Sequence, residues 1–351
     1  MAIIIKANLS MKKVKSMKDI AILAGVSEGT VSRALKNSAL ISQKVKDKIT
    51  KIADEHNYSP NKNATNLSTQ KSNAIVVIVN QDINANSFSR QPFILDMLGV
   101  LADELAKKHM EMILSPERNI TGCWNNYFIR SKRADGLIIL GPGSEPSLFD
   151  DLTDHKVPFV VWGGKDPAQE HCAISGDNKQ GGLLAVKHLI KDASRKRIIL
   201  LGPRHTLEGN LRYQGYCEGI RKYKCDESND LLIECDWSTE SAFEKMQEII
   251  KLNKLKFDAV FALNDTIAYG AIKAIQANGF NVPKDISVVG YDDIQSSQLI
   301  TPPLTTVRQN TDNAVPLLVE RITALINGET ASSEILDAKL IIRESSVEEF
   351  S

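Results

Sequence analysis

The sequence is poor in the residues that build disulfide frameworks, metal centres and membrane spans. Its 5 cysteines (Cys123, Cys172, Cys217, Cys225, Cys235) are odd in number and form no Cys-x-x-Cys pair. A stapled fold and a four-ligand zinc site are both excluded by that spacing. Reduced thiols in a cytoplasmic protein are expected. The 6 histidines are scattered, and no cofactor or metal is expected. The longest apolar runs, such as Ala74–Val79, are strand-length and cannot cross a bilayer. The Ala-Ile-Ile-Ile run near the N-terminus is too short for the apolar region of a signal peptide. Phosphate-cradling Gly-rich loops, His-Glu-x-x-His and the Gly-x-Ser-x-Gly nucleophile turn are absent, so no catalytic residues and no enzyme activity are expected.

Net charge is missing as well: 43 Lys and Arg face 43 Asp and Glu. The zero hides an asymmetry. Residues 1–71 carry 13 basic against 5 acidic side chains, a net of +8, while the remainder carries 30 against 38, a net of −8. A small basic head on a larger acidic body suits a polyanionic partner at one end. The 351 residues exceed one ordinary core and imply two or three domains.

Residues 17–58 read as three short helices. Ile20, Ala21 and Ala24 share one face of Met17–Ala24, Gly25-Val26 makes a turn, and Ser27 is a good N-cap for Glu28–Lys36. Ser42 is expected to cap a third helix, 43–57, with Val45, Ile49, Ile52 and Ala53 as its apolar stripe. Pro60 ends the pattern, and 61–72 is a polar tract in which Leu67 is the only large apolar residue. Buried strands are then expected at 74–79, 110–114, 136–140, 158–162, 197–201, 257–262 and 286–290. Helices are expected near 94–108, 179–191, 212–224, 240–252, 265–277 and 312–326. That alternation implies parallel α/β sheets, and its length implies two lobes.

In the head, Val31, Ala34 and Leu35 turn inward and leave Glu28, Gly29, Ser32 and Arg33 outward. A helix shown this way by a +8 domain fits the DNA major groove, where Arg33 can donate to a guanine edge and Thr30 and Ser32 can hold phosphates. A three-helix bundle with a solvated basic face is the plainer alternative.

Val26-Ser27-x-x-Thr30-Val31-Ser32-Arg33-x-Leu35, followed by Val45 through Asn57-Tyr58-x-Pro60-Asn61, resembles the LacI/GalR transcription regulators. The likeness continues through Asp177-Asn178, Arg212-x-x-Gly215-Tyr216, Asn264-Asp265-x-x-Ala268-x-Gly270, Val282 to Asp293 and Pro303-Leu304-Thr305-Thr306-Val307, and covers roughly residues 17–345. It implies an all-α helix-turn-helix DNA-binding head and an α/β body similar to periplasmic sugar-binding proteins, built of two parallel-sheet lobes. The expected layout is an N-terminal extension at 1–15, the head at 16–60, a hinge at 61–72, the core at 73–345 and a tail at 346–351. Within the core, lobe 1 is expected at about 73–173 and 303–333, and lobe 2 at about 174–302 and 334–345.

The resemblance also implies roles. Glu28, Gly29 and Arg33 match base-reading positions; Ser16, Ser27, Thr30, Ser32 and Asn37 match or neighbour phosphate-contacting ones. Asn61, Ala64 and Leu67 fall in the hinge helix of the family, where Leu67 matches the leucine that enters the minor groove and kinks the duplex. Composition alone would make the same stretch a flexible tether. Arg212, Asn264 and Asp292 match effector-contacting positions, and Trp237 is a candidate stacking platform. Adjacent Asp292 and Asp293 are expected to point apart. The function implied is a homodimeric repressor on a pseudopalindromic double-stranded operator, controlled by a small effector, a sugar. A nucleobase- or metabolite-dependent corepressor type is the alternative, and a sugar-processing enzyme with a DNA-binding head a more distant one. No leucine heptad ends the chain, so no tetramer-forming tail is expected.

Overall fold

Local capping chemistry defines the head. In a computed structural model of the chain, which describes residues 14, 16–59, 71–79, 91–116, 123–141, 146–164, 170–225, 231–252 and 256–348, α1 (Met17–Ala24) starts with a capping box. The Ser16 hydroxyl accepts from Asp19 N, and the Asp19 carboxylate accepts from Ser16 N at 3.0 Å. Gly25 ends α1 in the left-handed conformation, φ 69°, which no other residue adopts as cheaply. Ser27 caps α2 (Glu28–Leu35) by accepting from Thr30 N. Ser42 stands before α3 (Gln43–Glu55), but its side chain makes no cap hydrogen bond, contrary to the sequence expectation. Lys48 Nζ donates to Ala24 O at 2.7 Å and satisfies the carboxyl end of α1. Ile20, Ala21, Ala24, Val31, Ala34, Ile49 and Ala53 form the head's core, with Leu35, Val45 and Ile52 packed partly against it.

The body separates from the head at Ser72/Asn73 and holds two six-stranded sheets. The first orders β2 (Glu111–Pro116), β1 (Ala74–Val79), β3 (Gly136–Leu140), β4 (Phe159–Trp162), β5 (Cys172–Gly176) and β11 (Glu334–Leu336), all parallel. The second orders β7 (Leu232–Ile233), β6 (Ile198–Leu201), β8 (Ala259–Ala262), β9 (Ser287–Asp292), β10 (Thr305–Arg308) and an antiparallel edge, β12 (Lys339–Ile341). Strands such as β1 and β8 are buried along their whole length, as sheets covered by helices on both faces require. Lobe 1 adds α4 (Pro92–Lys107), a π-helical turn (Asn125–Arg130), α5 (Pro146–Asp154) and α10 (Thr311–Ile326). Lobe 2 adds α6 (Asn178–Lys191), α7 (Leu207–Lys222), α8 (Thr239–Lys251) and α9 (Asp265–Ala277).

The chain passes between sheets three times: after β5, after β10 and between β11 and β12. All three expected lobe boundaries move as a result. Thr305–Arg308, assigned to lobe 1 by sequence, pairs in parallel with β9 in lobe 2. Residues 174–176 and Glu334–Leu336, assigned to lobe 2, are strands of the first sheet. The Pro302-Pro303 break is therefore a loop inside lobe 2, closed by Leu304 N donating to Ser297 O at 2.7 Å.

Helices α6 and α7 cross in backbone contact. A Cβ on Gly182 would strike the carbonyl of Arg212, and one on Gly215 would strike the carbonyl of Lys179. This approach brings the start of α7 against the segment that has just left β5.

Candidate functional site

On α2, Glu28, Gly29 and Arg33 are exposed while Val31 and Ala34 face the core. Glu28 and Gly29 open the first turn, Arg33 lies one turn beyond Gly29 on the same face, and all three are open to solvent. A Cβ on Gly29 would meet nothing nearer than Ser27 Oγ at 3.8 Å, so packing does not require glycine there. The flanking polar residues are already at work. Ser27 Oγ and Thr30 Oγ1 lie 2.9 Å apart across the cap of α2. Ser16 belongs to the α1 capping box, and Asn37, at φ 54°, accepts from Lys46 Nζ through Oδ1 at 2.8 Å. Ser32 is half-buried on the same helix. Ser16 and Ser27 stand at helix N-termini, where backbone N–H groups and the helix dipole favour anions. Asn61, Ala64 and Leu67 lie outside the described residues.

In the body, strand ends of lobe 2 converge on Arg212. Its side chain is buried at 4% exposure, not on the helix surface. Nε donates to Asn178 Oδ1 at 2.8 Å, Nη1 donates to the carbonyl of Leu263, and Nη2 stands 3.7 Å from Asp292 Oδ1. The guanidinium lies over Tyr291, 3.7 Å from the ring centroid, and 5.9 Å from that of half-buried Trp237. Arg212, Asp292 and Trp237 are thus brought together.

Asp292 ends β9 with φ 111° and Asp293 follows at φ 57°. The turn sends their carboxylates apart: Asp292 Oδ1 accepts from Gln309 Nε2 at 2.5 Å, while Asp293 accepts from Arg308 and Arg343, each at 2.6 Å. Burial lifts the Asp292 carboxyl to about 6, against the pull of Arg212 and of the Gln309 hydrogen bond. Asn264 sits at the end of β8, but its Oδ1 is committed to capping α9, accepting from Ile267 N at 2.8 Å and Thr266 Oγ1 at 2.9 Å. A ligand contact would fall to its Nδ2 group.

Sequence reasoning missed four participants. Asn178 and Gln309 flank the first and second crossings, Tyr291 stacks under Arg212, and Asp265 is completely buried. Asp265 accepts from Ile294 N at 3.0 Å, Ser297 Oγ at 2.6 Å and Thr306 Oγ1 at 2.5 Å. Burial first, then the charge of Asp292, raises its carboxyl to about 8. Its position just after an N-cap hid it, because acidic residues in a first helical turn are ordinarily exposed.

A reading helix in a three-helix head, joined to two parallel-sheet lobes with polar residues converging at strand ends, defines a helix-turn-helix regulator with a periplasmic-binding-protein-like body. Residues 16–61 match the family of bacterial regulatory proteins, lacI family, and 186–346 match the periplasmic binding protein-like domain. The chain belongs to the LacI family of transcription regulators. It is 31% identical over 333 residues to the probable HTH-type transcriptional repressor ExuR of Bacillus subtilis (strain 168), covering 94% of this chain and 98% of that protein. A lac repressor dimer bound to operator and the anti-inducer ONPF superposes with TM-score 0.78 at 26% identity, over 96% of this chain and 100% of that one. The transcriptional regulator CelR in complex with cellobiose superposes with TM-score 0.69 at 26% identity, over 95% and 100%. Among the described residues, no helix is long and apolar enough to cross a membrane.

Proposed function

We propose that this regulator is a cytoplasmic, homodimeric repressor whose hold on a pseudopalindromic operator is controlled by a sugar bound at the strand ends around Arg212. It has no enzymatic step. Glu28, Gly29 and Arg33 read bases, with Arg33 donating to a guanine edge and Glu28 accepting from cytosine or rejecting other bases. Ser16, Ser27, Thr30, Ser32 and Asn37 contact phosphates, largely through cap geometry that already turns N–H groups outward. The hinge, 61–72, carries Asn61, Ala64 and Leu67 to the minor groove at the operator centre. Arg212, Asp292, Asn264 and Trp237 hold the effector, two side chains by charge-assisted hydrogen bonds, one by its amide and one by its ring face.

The observation that carries the effector reading is the burial of Arg212 beside Asp292 at the C-terminal ends of the lobe 2 strands. Open α/β sheets bind ligands there, and an ion pair is costly to bury for stability alone. The cellobiose bound by CelR and the operator bound by the lac repressor dimer support the same assignment. A thermal-shift screen of the full chain against neutral sugars, sugar acids and nucleobases tests it. A ligand at 100 times its Kd stabilises by ~2.7 kcal/mol, and Arg212→Ala should abolish that response. A nucleobase hit with no sugar hit would replace the sugar reading.

A further inference from the structure

We propose that Lys46 is a positioning residue for DNA binding: its ammonium locks the turn that ends α2 and orients the Asn37 amide, leaving the amide N–H groups for a backbone phosphate. This rests on the reading that α2 lies against DNA with Asn37 on a phosphate, and it gives Lys46 a role other than a phosphate contact.

Two backbone bonds around a left-handed residue close the end of α2. Asn37 N donates to Ala34 O and Ser38 N donates to Arg33 O, each at 2.9 Å, with Asn37 between them at φ 54°. Glycine is the usual residue at this place in a helix-ending turn. Asparagine takes the conformation more readily than most residues but less freely than glycine, so backbone conformation alone would favour glycine here. The carbonyl that receives Ser38 N belongs to Arg33, so the same turn anchors the backbone of the residue assigned to guanine.

Lys46, half-buried on α3, reaches this turn. Its Nζ donates to Asn37 Oδ1 at 2.8 Å and to Asn37 O at 3.3 Å. An ammonium donates and cannot accept, so it fixes which way round the amide stands, with Oδ1 toward Lys46 and Nδ2 away from it. Asn37 is exposed, and no described residue engages Nδ2. Phosphate oxygens accept hydrogen bonds from such amides on the DNA backbone. Lys48 is committed in the same manner, donating to Ala24 O at the end of α1 at 2.7 Å. Both ammonium groups thus stand at the negative ends of helices. Their charge serves the geometry of the head itself.

Anisotropy titrations of the full chain on a duplex that the native chain has selected from a random library, with melting curves on the same proteins, test the proposal. Lys46→Met should weaken binding of that duplex about tenfold, the scale of one hydrogen bond to a charged group. The slope of log affinity against log salt should stay native. A slope shallower by about 0.9 would make Lys46 a phosphate contact itself and overturn the proposal. Asn37→Gly takes the left-handed turn without strain and removes the amide. It should melt no lower than the native chain yet bind about tenfold more weakly, a split that a purely structural role for the turn does not produce. Native affinity in Asn37→Gly overturns the proposal, and this measurement stands even where Lys46→Met does not fold. Adding Lys46→Met to Asn37→Gly should cost no more than about a further twofold, because its effect runs through the amide; losses that multiply to about a hundredfold overturn it. A native chain that binds every duplex alike and without salt dependence sinks the DNA reading of α2 instead.

Discussion

Arg212 Nε donates to Asn178 Oδ1 at 2.8 Å, and Asn178 is the first residue of α6, where the chain has just crossed from β5 into lobe 2. Asn178 Nδ2 in turn donates to Gly176 O at 3.2 Å, and Asp177 N donates to Leu336 O at 2.8 Å. The side chain assigned to the effector is therefore bonded directly to the first crossing, and the first crossing to the third. A ligand that repositions Arg212 acts on the crossings between the two lobes, which gives an effector a physical route to lobe closure.

Lysine cannot replace this arginine. Arg212→Lys keeps the charge but loses the simultaneous bonds to Asn178 and Leu263 and the flat stacking on Tyr291. Arg212→Ala leaves Asp292 buried and uncompensated, and should cost about 3–5 kcal/mol in denaturant unfolding. Arg212→Lys should cost less, yet remove ligand response as fully as Ala does. Native-like ligand affinity in Arg212→Lys would refute the positioning role.

The two lifted carboxyls fix the pH dependence of the body. Both folded-state values, about 8 for Asp265 and about 6 for Asp292, lie above the ordinary 3.8. The folded chain holds more protons than the unfolded chain between about pH 4 and pH 8, so these groups make stability fall as pH rises through that window. Asp265→Asn should flatten the fall between about pH 6 and pH 8, because its amide can donate to Thr306 Oγ1 while its oxygen accepts from Ile294 N and Ser297. Melting curves across that range check it; an equally steep fall in the variant would assign the effect elsewhere.

Much of the fold was legible because its elements carry strong local signals. The Ser27 cap and the burial of Val31 and Ala34 are written in eight residues, and all-apolar runs such as Ala74–Val79 read plainly as covered strands. Thr305–Arg308 and Cys172–Gly176 were not read as strands because polar or small residues interrupt them; the first pairs through its backbone with β9, which no composition reveals. The site was legible in its single-residue anchors, Arg212 and Asp292, and illegible in its supports. Asn178, Gln309 and Asp265 reach the site through crossings and a buried helix start, which only tertiary contact defines.

Gly29 and Arg33 should separate stability from DNA reading. Gly29→Ala places a methyl in ordinary van der Waals contact with Ser27 Oγ on a helix and should stabilise the head by about 0.5–1 kcal/mol. If the glycine serves close approach to DNA, operator affinity should fall at the same time. Arg33→Ala should leave stability and ligand binding unchanged while removing about 1–3 kcal/mol of discrimination between operator and variant sequences. Melting and competition binding on the same proteins measure both.

Gly164 should matter to lobe approach. Its N–H donates to Glu208 Oε1 at 3.2 Å across from lobe 1 to α7, and a Cβ there would stand 2.7 Å from Leu207 Cδ2. Gly164→Ala should hold this edge apart and weaken effector binding by about tenfold, the effect of 1.4 kcal/mol, with operator binding in the absence of effector retained. Calorimetry gives the number; unchanged effector affinity would mean the edge stays together without ligand consequence.

The central claim, that one chain couples a ligand on the body to DNA on the head, is tested by anisotropy titration of the full chain on a duplex it has selected from a random library. The titration is run with and without the sugar that raises its melting temperature, at several salt concentrations. Operator affinity should change by about 5–150-fold at saturating ligand. It should also fall by ~10³–10⁵ between ~50 and ~200 mM salt if roughly 6–10 phosphates are contacted. An operator Kd that stays the same while calorimetry shows the ligand bound would contradict the account.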